Sequence, residues 1–435
     1  LPYHRDGFAL YTVAESFQPR FTPVSERVTP ERLAHPVLFL ILFLPMGITN
    51  GYVIVTLGYL LTHAGVSVPS VAGLVAVSLL PQTWKFLWAP IVDTTLSVKG
   101  WFFLSSVLTG LLMVGAAIIP STAANLGLIG ALVFAFNVTV SFNTMAADSL
   151  MAHSTALEQK GRAGGWSQAG NLGGTGLGGG AGLWLAQHVA MGWVAGAALG
   201  IACILSSAAL LLLREPPAEH RTKDYLDSLA YVGRDIWSVV KVRGGFLALV
   251  LMSLPVGVGA AQNLWASVAG DWHATADTVA LINGALGGVI SMFGCVAGGL
   301  ICDKMDRKTA FNLFSVVLAM SALAMAIAPR TEAMFVVFTC LYAFIMGFSY
   351  AAFGAVVLEA IGAGAAATKY NLLASVANVP IIYLTEIDGW AHSFWGSGGM
   401  LVTEAVVAVA GTGLFILIAL KTKRLFPERA AAATV

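Results

Sequence analysis

The sequence predicts an all-α integral membrane protein of twelve helices, arranged as two six-helix bundles in pseudo-twofold relation. Three observations lead there: an apolar composition, twelve long apolar stretches with asymmetrically charged loops, and a match between the two halves of the chain. Of 435 residues, 57% are hydrophobic and 10% charged, and the mean hydropathy is +0.81. A soluble domain carries roughly 25% charged residues, so this chain cannot cover a water-soluble globule. The composition also excludes disordered, collagen-like and disulfide-rich chains. A net charge of +1 argues against a nucleic-acid partner. Cys203, Cys295, Cys302 and Cys340 sit in or beside apolar runs without a C-x-x-C pair, and read as small buried thiols rather than metal or redox groups.

The apolar stretches cover 36–62, 69–92, 100–119, 124–150, 163–187, 191–213, 245–270, 276–301, 309–328, 333–358, 366–386 and 396–420. A membrane helix needs roughly 20 apolar residues. The fourth and tenth stretches begin at the boundary marks Pro120–Ser121 and Pro329–Arg330. The longest interruption divides the chain into a bundle at 36–213, a linker at 214–244 that opens R-E-P-P-A-E-H-R-T-K-D, and a bundle at 245–420. Residues 1–35 form an arm with acids, prolines and no apolar core, unlike a signal peptide, and 421–435 form a tail. Within the linker, Tyr225, Leu226, Leu229, Tyr231, Ile236 and Trp237 suit either a short amphipathic surface helix or an ordinary connection.

Placing both termini in the cytoplasm puts Lys99, Lys160, Arg162, Lys304, Arg307, Lys308 and most other basic residues in inner segments. Only Arg330 then falls in an outer loop, which is the positive-inside asymmetry. It supports the count of twelve as well, because one missed crossing would swap every later loop.

The halves match at an offset near 210 residues: Pro45 and Gly47 with Pro255 and Gly257, Asp93 with Asp303, Asp148 with Glu359, and Lys160 with Lys369. Glycines crowd the fifth stretch between Gly161 and Trp184, and Gly284, Gly287, Gly288, Gly294, Gly298 and Gly299 fall in the eighth. Small residues let membrane helices approach closely, here between the two halves. No strand–turn–helix context makes these glycines a dinucleotide loop, and no cofactor is expected.

The string G-L-I-C-D-K-M-D-R-K, Gly299 to Lys308, resembles the loop signature of the major facilitator superfamily. K-F-L-W-A-P-I-V-D, Lys85 to Asp93, and A-T-K-Y-N-L-L-A-S-V-A-N-V-P, Ala367 to Pro380, resemble its muropeptide permease and acetyl-coenzyme-A transporter branch, which includes siderophore importers. Lys369 departs from that pattern, which often has Gln there. The resemblance implies a monomeric multi-pass carrier of the bacterial inner membrane, working by alternating access, with helices 1, 4, 7 and 10 around the cavity. With no G-x-x-x-x-G-K-[ST] loop, secondary transport is expected.

The same resemblance makes Asp303 and Arg307 parts of a cytoplasmic latch, with Asp93, Asp148 and Glu359 as anionic partners. A carboxylate at the Asp303 position can also accept from open N–H groups at a helix start. Lys85, two turns inside the second stretch, must snorkel, find an anion such as Asp148, or sit in a wet cavity. Candidate substrate contacts are Asn50, Tyr59, Asn137, Asn143, Gln262, Asn263, Trp265, Tyr342 and Tyr350, since polar groups in hydrocarbon must be paired or wet. For each, bonding between helices competes with ligand contact.

No acid lies at mid-membrane in helices 1, 4, 7 or 10, so a proton relay has no obvious seat there. Asp148 and Glu359 are inner candidates. Glu386, Asp388 and Glu404 are outer ones, expected as wetted helix-end groups. The expectation is proton-coupled import of a medium-sized polar solute, a muropeptide first and a siderophore second. Efflux remains open because topology does not set the direction of flux. An intramembrane enzyme is disfavoured by the lack of an H-E-x-x-H motif or a serine–histidine–acid set; a channel or scaffold is the remaining alternative class.

Overall fold

A computed structural model describes residues 35, 37–88, 91–92, 95–155, 160–189, 191–215, 234, 237, 240–302, 304–361 and 366–425. The N-terminal arm, nearly all of the 214–233 linker segment and the last ten residues lie outside that set, as do Asp93 and Asp303.

The described chain is helical throughout. Helix α1 is Leu38–His63, interrupted by a π segment at Tyr52–Leu57. Then follow α2 (Val68–Thr83), α3 (Val98–Ile118), α4 (Leu126–Ser154), α5 (160–188, with a π segment at Leu177–Ala181) and α6 (Trp193–Leu212). The second set is α7 (Arg243–Ser253, continuing after a break as short turns to Trp272), α8 (Ala276–Cys302), α9 (Arg307–Ile327) and α10 (Glu332–Ile361). It ends with α11 (366–395) and α12 (397–425), which run on from each other through Gly396 at φ 65° and ψ −170°.

Eight of these stretches among the described residues are long and apolar enough to cross a membrane, with α11 and α12 counted as one. Helix α2 and the first part of α7 are apolar but shorter. Hydropathy carries both through to longer spans. Helix α2 instead ends at Thr83, two residues past Pro81, and the chain continues as a tight turn at Lys85–Leu87. Helix α7 ends at Ser253, before Pro255. Large apolar side chains such as Leu111, Leu211, Val296 and Ile327 face outward, as lipid-facing positions do. Exposed Trp84 sits at one end of the helices, and exposed Trp390, Phe394 and Trp395 at the other. Tryptophan favours both membrane–water interfaces.

Helices α1 and α3 to α6 pack mainly on one another, through α1–α5, α3–α4 and α3–α6, and α2 joins them through α4. Helices α8–α10, α9–α10, α9–α12 and α7–α11 do the same in the second set. The two sets meet along α2–α11, α5–α8 and the far ends of α1 and α7.

Glycine decides the closest of these contacts. A methyl group on Gly47, Gly51, Gly170, Gly174 or Gly178 would fall 1.9–2.5 Å from a carbonyl oxygen of the facing helix in the α1–α5 pair. Most of the glycine seam therefore lies inside the first set, not between the sets as expected. Gly284 on Gly180, Gly288 on Leu172 and Gly389 on Ala72 do cross the boundary. The four cysteines form no disulfide, Cys203 and Cys302 being buried and the other two partly buried.

The repeat in sequence is not a repeat in local structure. Pro45 lies inside continuous α1, and Gly47 beside it stays helical. At the matching place in α7, Gly257 and Gly259 both take left-handed backbone, at φ 64° and 63°. L side chains avoid that region. Two glycines one residue apart, after a proline, let the chain leave the helix; Pro45 is followed by only one.

Candidate functional site

The break in α7 places the run Ala260–Leu264, which carries Gln262 and Asn263, as a tight turn in the second set. Three helices hold it. The Ala261 N–H donates to Glu404 Oε2 on α12 at 2.8 Å. Asn263 Nδ2 donates to Thr385 Oγ1 on α11 at 3.1 Å. Trp265 meets the Tyr342 ring of α10 edge-on, centroids 5.3 Å apart, and the Tyr342 hydroxyl donates to Glu404 Oε1. Discontinuous helices of this kind expose peptide groups where irregular backbone is otherwise excluded from hydrocarbon.

Glu386 is exposed, as expected of a wetted outer acid, but Asp388 and Glu404 are only 0% and 3% exposed, which corrects that expectation for these two. Hydropathy alone could not reveal this, because it reports neighbours in sequence. Both acids face inward beside the broken helix.

The candidate contacts divide into two groups. Tyr59, Trp265 and Tyr342 are buried in one apolar cluster with Val55, Leu264, Trp272 and Phe335, drawn from both helix sets. The cluster lies toward the far face, where α1 ends. Ser267 Oγ approaches the Gly58 carbonyl at 3.4 Å there, and His188 Nε2 stands 4.0 Å from Asp277 Oδ1. Over the cluster, Arg330 lies 4.0 Å above the Trp272 ring. Burial pushes the pKa of its guanidinium down, partly offset by Asp271.

Asn50, Gln262 and Tyr350 stay accessible at greater distance from the far end of α1. Asn50 is partly exposed and none of the hydrogen bonds among the described residues engages it. Tyr350 is 46% exposed, and the Gln262 amide lies against its hydroxyl.

Two asparagines are occupied otherwise. Asn137 Nδ2 donates to its own helix at Val133 O, 2.9 Å. Asn143 Nδ2 donates to Ser106 Oγ at 2.7 Å and Phe102 O at 3.3 Å, tying α4 to α3. Asn143 thus faces a helix–helix contact rather than open space.

Near the opposite face, Lys85 is 7% exposed, and the charge acting on it is Asp148 on α4. Glu359 at the end of α10 holds Lys308 in a close ion pair and stands 3.9 Å from Arg307. Both partners start α9, so this pairing stays inside the second set. The helix start there is capped by Asp306, which accepts from the Thr309 N–H and hydroxyl, both at 2.8 Å. Burial raises the Asp306 pKa, but these hydrogen bonds and the Lys308 charge outweigh it and hold the carboxyl below its usual range. Sequence reasoning assigns such a role to Asp303; the signal for Asp306 is an Asp immediately before R-K-T, three residues ahead of a threonine. Among the described residues no cluster of histidine, cysteine and carboxylate could hold a metal ion.

An all-α membrane fold with a broken helix at its centre is the architecture on which membrane transporters build their sites. Residues 37–385 match the Major Facilitator Superfamily family model, so the chain belongs to that superfamily, whose members are carriers and not enzymes. The fold is similar to that of a nucleoside transporter NupG variant: TM-score 0.67, 11% identity, covering 88% of this chain and 98% of that one. It is also similar to a POT family transporter in complex with 5-aminolevulinic acid, with TM-score 0.68, 12% identity and coverage of 88% and 96%. For the xylose transporter XylE from E. coli, in a partially occluded inward open conformation, the values are 0.66, 14%, 92% and 99%. No curated protein matches the sequence.

Proposed function

We propose that the protein is a secondary active transporter of the bacterial inner membrane, made of two pseudo-symmetric six-helix bundles at 36–213 and 245–420. Both termini are cytoplasmic, and the cargo is a medium-sized polar solute imported together with protons. The observation that carries this reading is one-sided access. Tyr59, Trp265 and Trp272 are buried in one cluster across both helix sets toward the far face, while Asn50 is partly exposed and Tyr350 exposed outside that cluster. Alternating access requires such a state and its opposite, with the site fixed between the bundles.

A muropeptide is the first choice of cargo, supported by the K-F-L-W-A-P-I-V-D and A-T-K-Y-N-L-L strings. Asn50, Gln262 and Tyr350 offer amides and a hydroxyl to a sugar–peptide, and an aromatic face to a sugar ring. A siderophore is the competing cargo. Against a strongly anionic ligand, the buried cation Lys85 already faces Asp148. Lys85, Asp148, Arg307 and Glu359, with Asp93 and Asp303, form the proposed gate on the cytoplasmic side.

The test is competitive uptake in vesicles of fixed orientation, offering anhydromuropeptides, ferric and iron-free siderophores, and acetyl-coenzyme A at equal concentrations. Muropeptides should saturate uptake and displace the others. Saturation by a siderophore that muropeptides do not compete with would overturn the cargo and leave the carrier.

A further inference from the structure

Two carboxyl groups are buried together where α11, α12 and the broken α7 meet. Glu404 has a donor for each oxygen: the Ala261 N–H at 2.8 Å for Oε2, and the Tyr342 hydroxyl for Oε1. Asp388, 0% exposed, has none. Among the described residues, no N–H or O–H of the protein donates to either of its oxygens. The group it meets at hydrogen-bonding range is the Glu404 carboxyl itself.

Two carboxylates at that range repel, and each is a strong acceptor with nothing to donate. One proton between them turns the contact into an O–H···O⁻ bond, among the strongest a protein makes. The donors decide where the charge rests. Glu404 has two, so it takes the charge; Asp388 has none, so it takes the proton and donates to Glu404.

The groups facing the pair are Tyr342 from α10 and the Ala260 and Ala261 N–H groups from α7. Among the described residues neither acid belongs to an ion pair with lysine, arginine or histidine.

We propose that Asp388 and Glu404 form a proton-binding site that couples protonation to the seating of the α7 break. The inference rests on the proton-coupled carrier reading and assigns that coupling to two residues. With one proton bound, Glu404 anchors Ala261 while Asp388 closes the pair. Loss of the proton leaves two negative charges in a dry site, so the pair must part or admit water. Parting displaces the segment that also carries Gln262, Asn263 and Trp265, which turns a proton into a change at the cavity.

Infrared difference spectroscopy of the full-length reconstituted protein, recorded across pH steps in light and heavy water, tests this without a substrate. The expected result is a protonated-carboxyl carbonyl band that disappears reversibly as pH rises and is missing from Asp388→Asn. The amide of that variant still donates to Glu404, so it should fold. A band that ignores pH, or persists unchanged in Asp388→Asn, overturns the proposal.

If Asp388→Asn does not fold, Asp388→Glu keeps an acid at a new distance and must shift the midpoint of the titration; an unshifted midpoint overturns the proposal. Vesicles then separate this site from the carrier reading. Asp388→Asn should lose the extra accumulation that an imposed proton gradient gives the wild type. Full gradient-driven accumulation by that variant contradicts the site. Failure of the wild-type protein to move any solute of the panel contradicts the carrier reading, while the infrared titration still decides the proton site.

Discussion

Gly284 of α8 and Gly180 of α5 meet backbone to backbone across the boundary between the two helix sets: a methyl group on Gly284 would lie 2.3 Å from the Gly180 nitrogen. Both residues sit in π segments, at Ala280–Leu286 and Leu177–Ala181, and these π segments touch each other and that of α1. Such widened turns leave carbonyl groups without their usual partners. Thr56 of α1 answers two of them, donating to Gly178 O at 2.8 Å and lying 3.3 Å from Gly179 O.

Gly284→Ala should therefore force α5 and α8 apart and cost about 1–3 kcal/mol, as overpacking does. A methyl group on Gly173, on the same α5, would meet nothing beyond its own helix within 4 Å, and Gly173→Ala should be neutral or stabilise by up to about 1 kcal/mol. Thermal unfolding of both variants in one detergent checks the contrast. Equal midpoints would contradict the close approach.

The sorting of the asparagines predicts opposite phenotypes. Asn143→Ala strands the Ser106 hydroxyl inside the α3–α4 contact, so stability should fall by about 1–3 kcal/mol with substrate affinity unchanged. Asn50→Ala removes no bond among the described residues, so stability should hold while the affinity for transported solute weakens. Unfolding midpoints and uptake kinetics, measured on both variants, distinguish them.

Asp306→Ala removes the cap of α9 and should cost about 1 kcal/mol near neutral pH. The Asp306 carboxyl is held below its usual pKa by the Thr309 bonds. Its contribution is therefore present above the unfolded value of roughly 3.9, and is lost as pH falls through the lower folded value. Unfolding midpoints of the variant and wild type should converge in acid and differ near neutrality. A difference that stays constant into acid would show that the cap does not act through its charge.

Much of the architecture was legible in the sequence because hydropathy and loop charge are local quantities. Most helices lie close to the apolar stretches, though α2 and α7 end short of theirs, and Gly396, at the start of the twelfth stretch, separates α11 from α12. The break in α7 was half legible: Pro255 and Gly257 were visible as a repeat of Pro45 and Gly47, but the consequence depended on the second left-handed glycine, Gly259. The acid pair was not legible. Asp388 and Glu404 stand on either side of the α11–α12 corner, and their burial follows from how that corner folds onto α7. Partner choice was similarly hidden for Asn143, whose amide meets a serine 37 positions away.

Counterflow tests the central claim most directly. Vesicles holding the purified protein and preloaded with unlabelled solute from the panel are diluted into labelled solute. A carrier whose site faces one side at a time returns loaded more often than empty, so label should rise above its equilibrium level and then decay. A smooth approach to equilibrium without overshoot, for every solute that crosses, would show a channel and contradict alternating access.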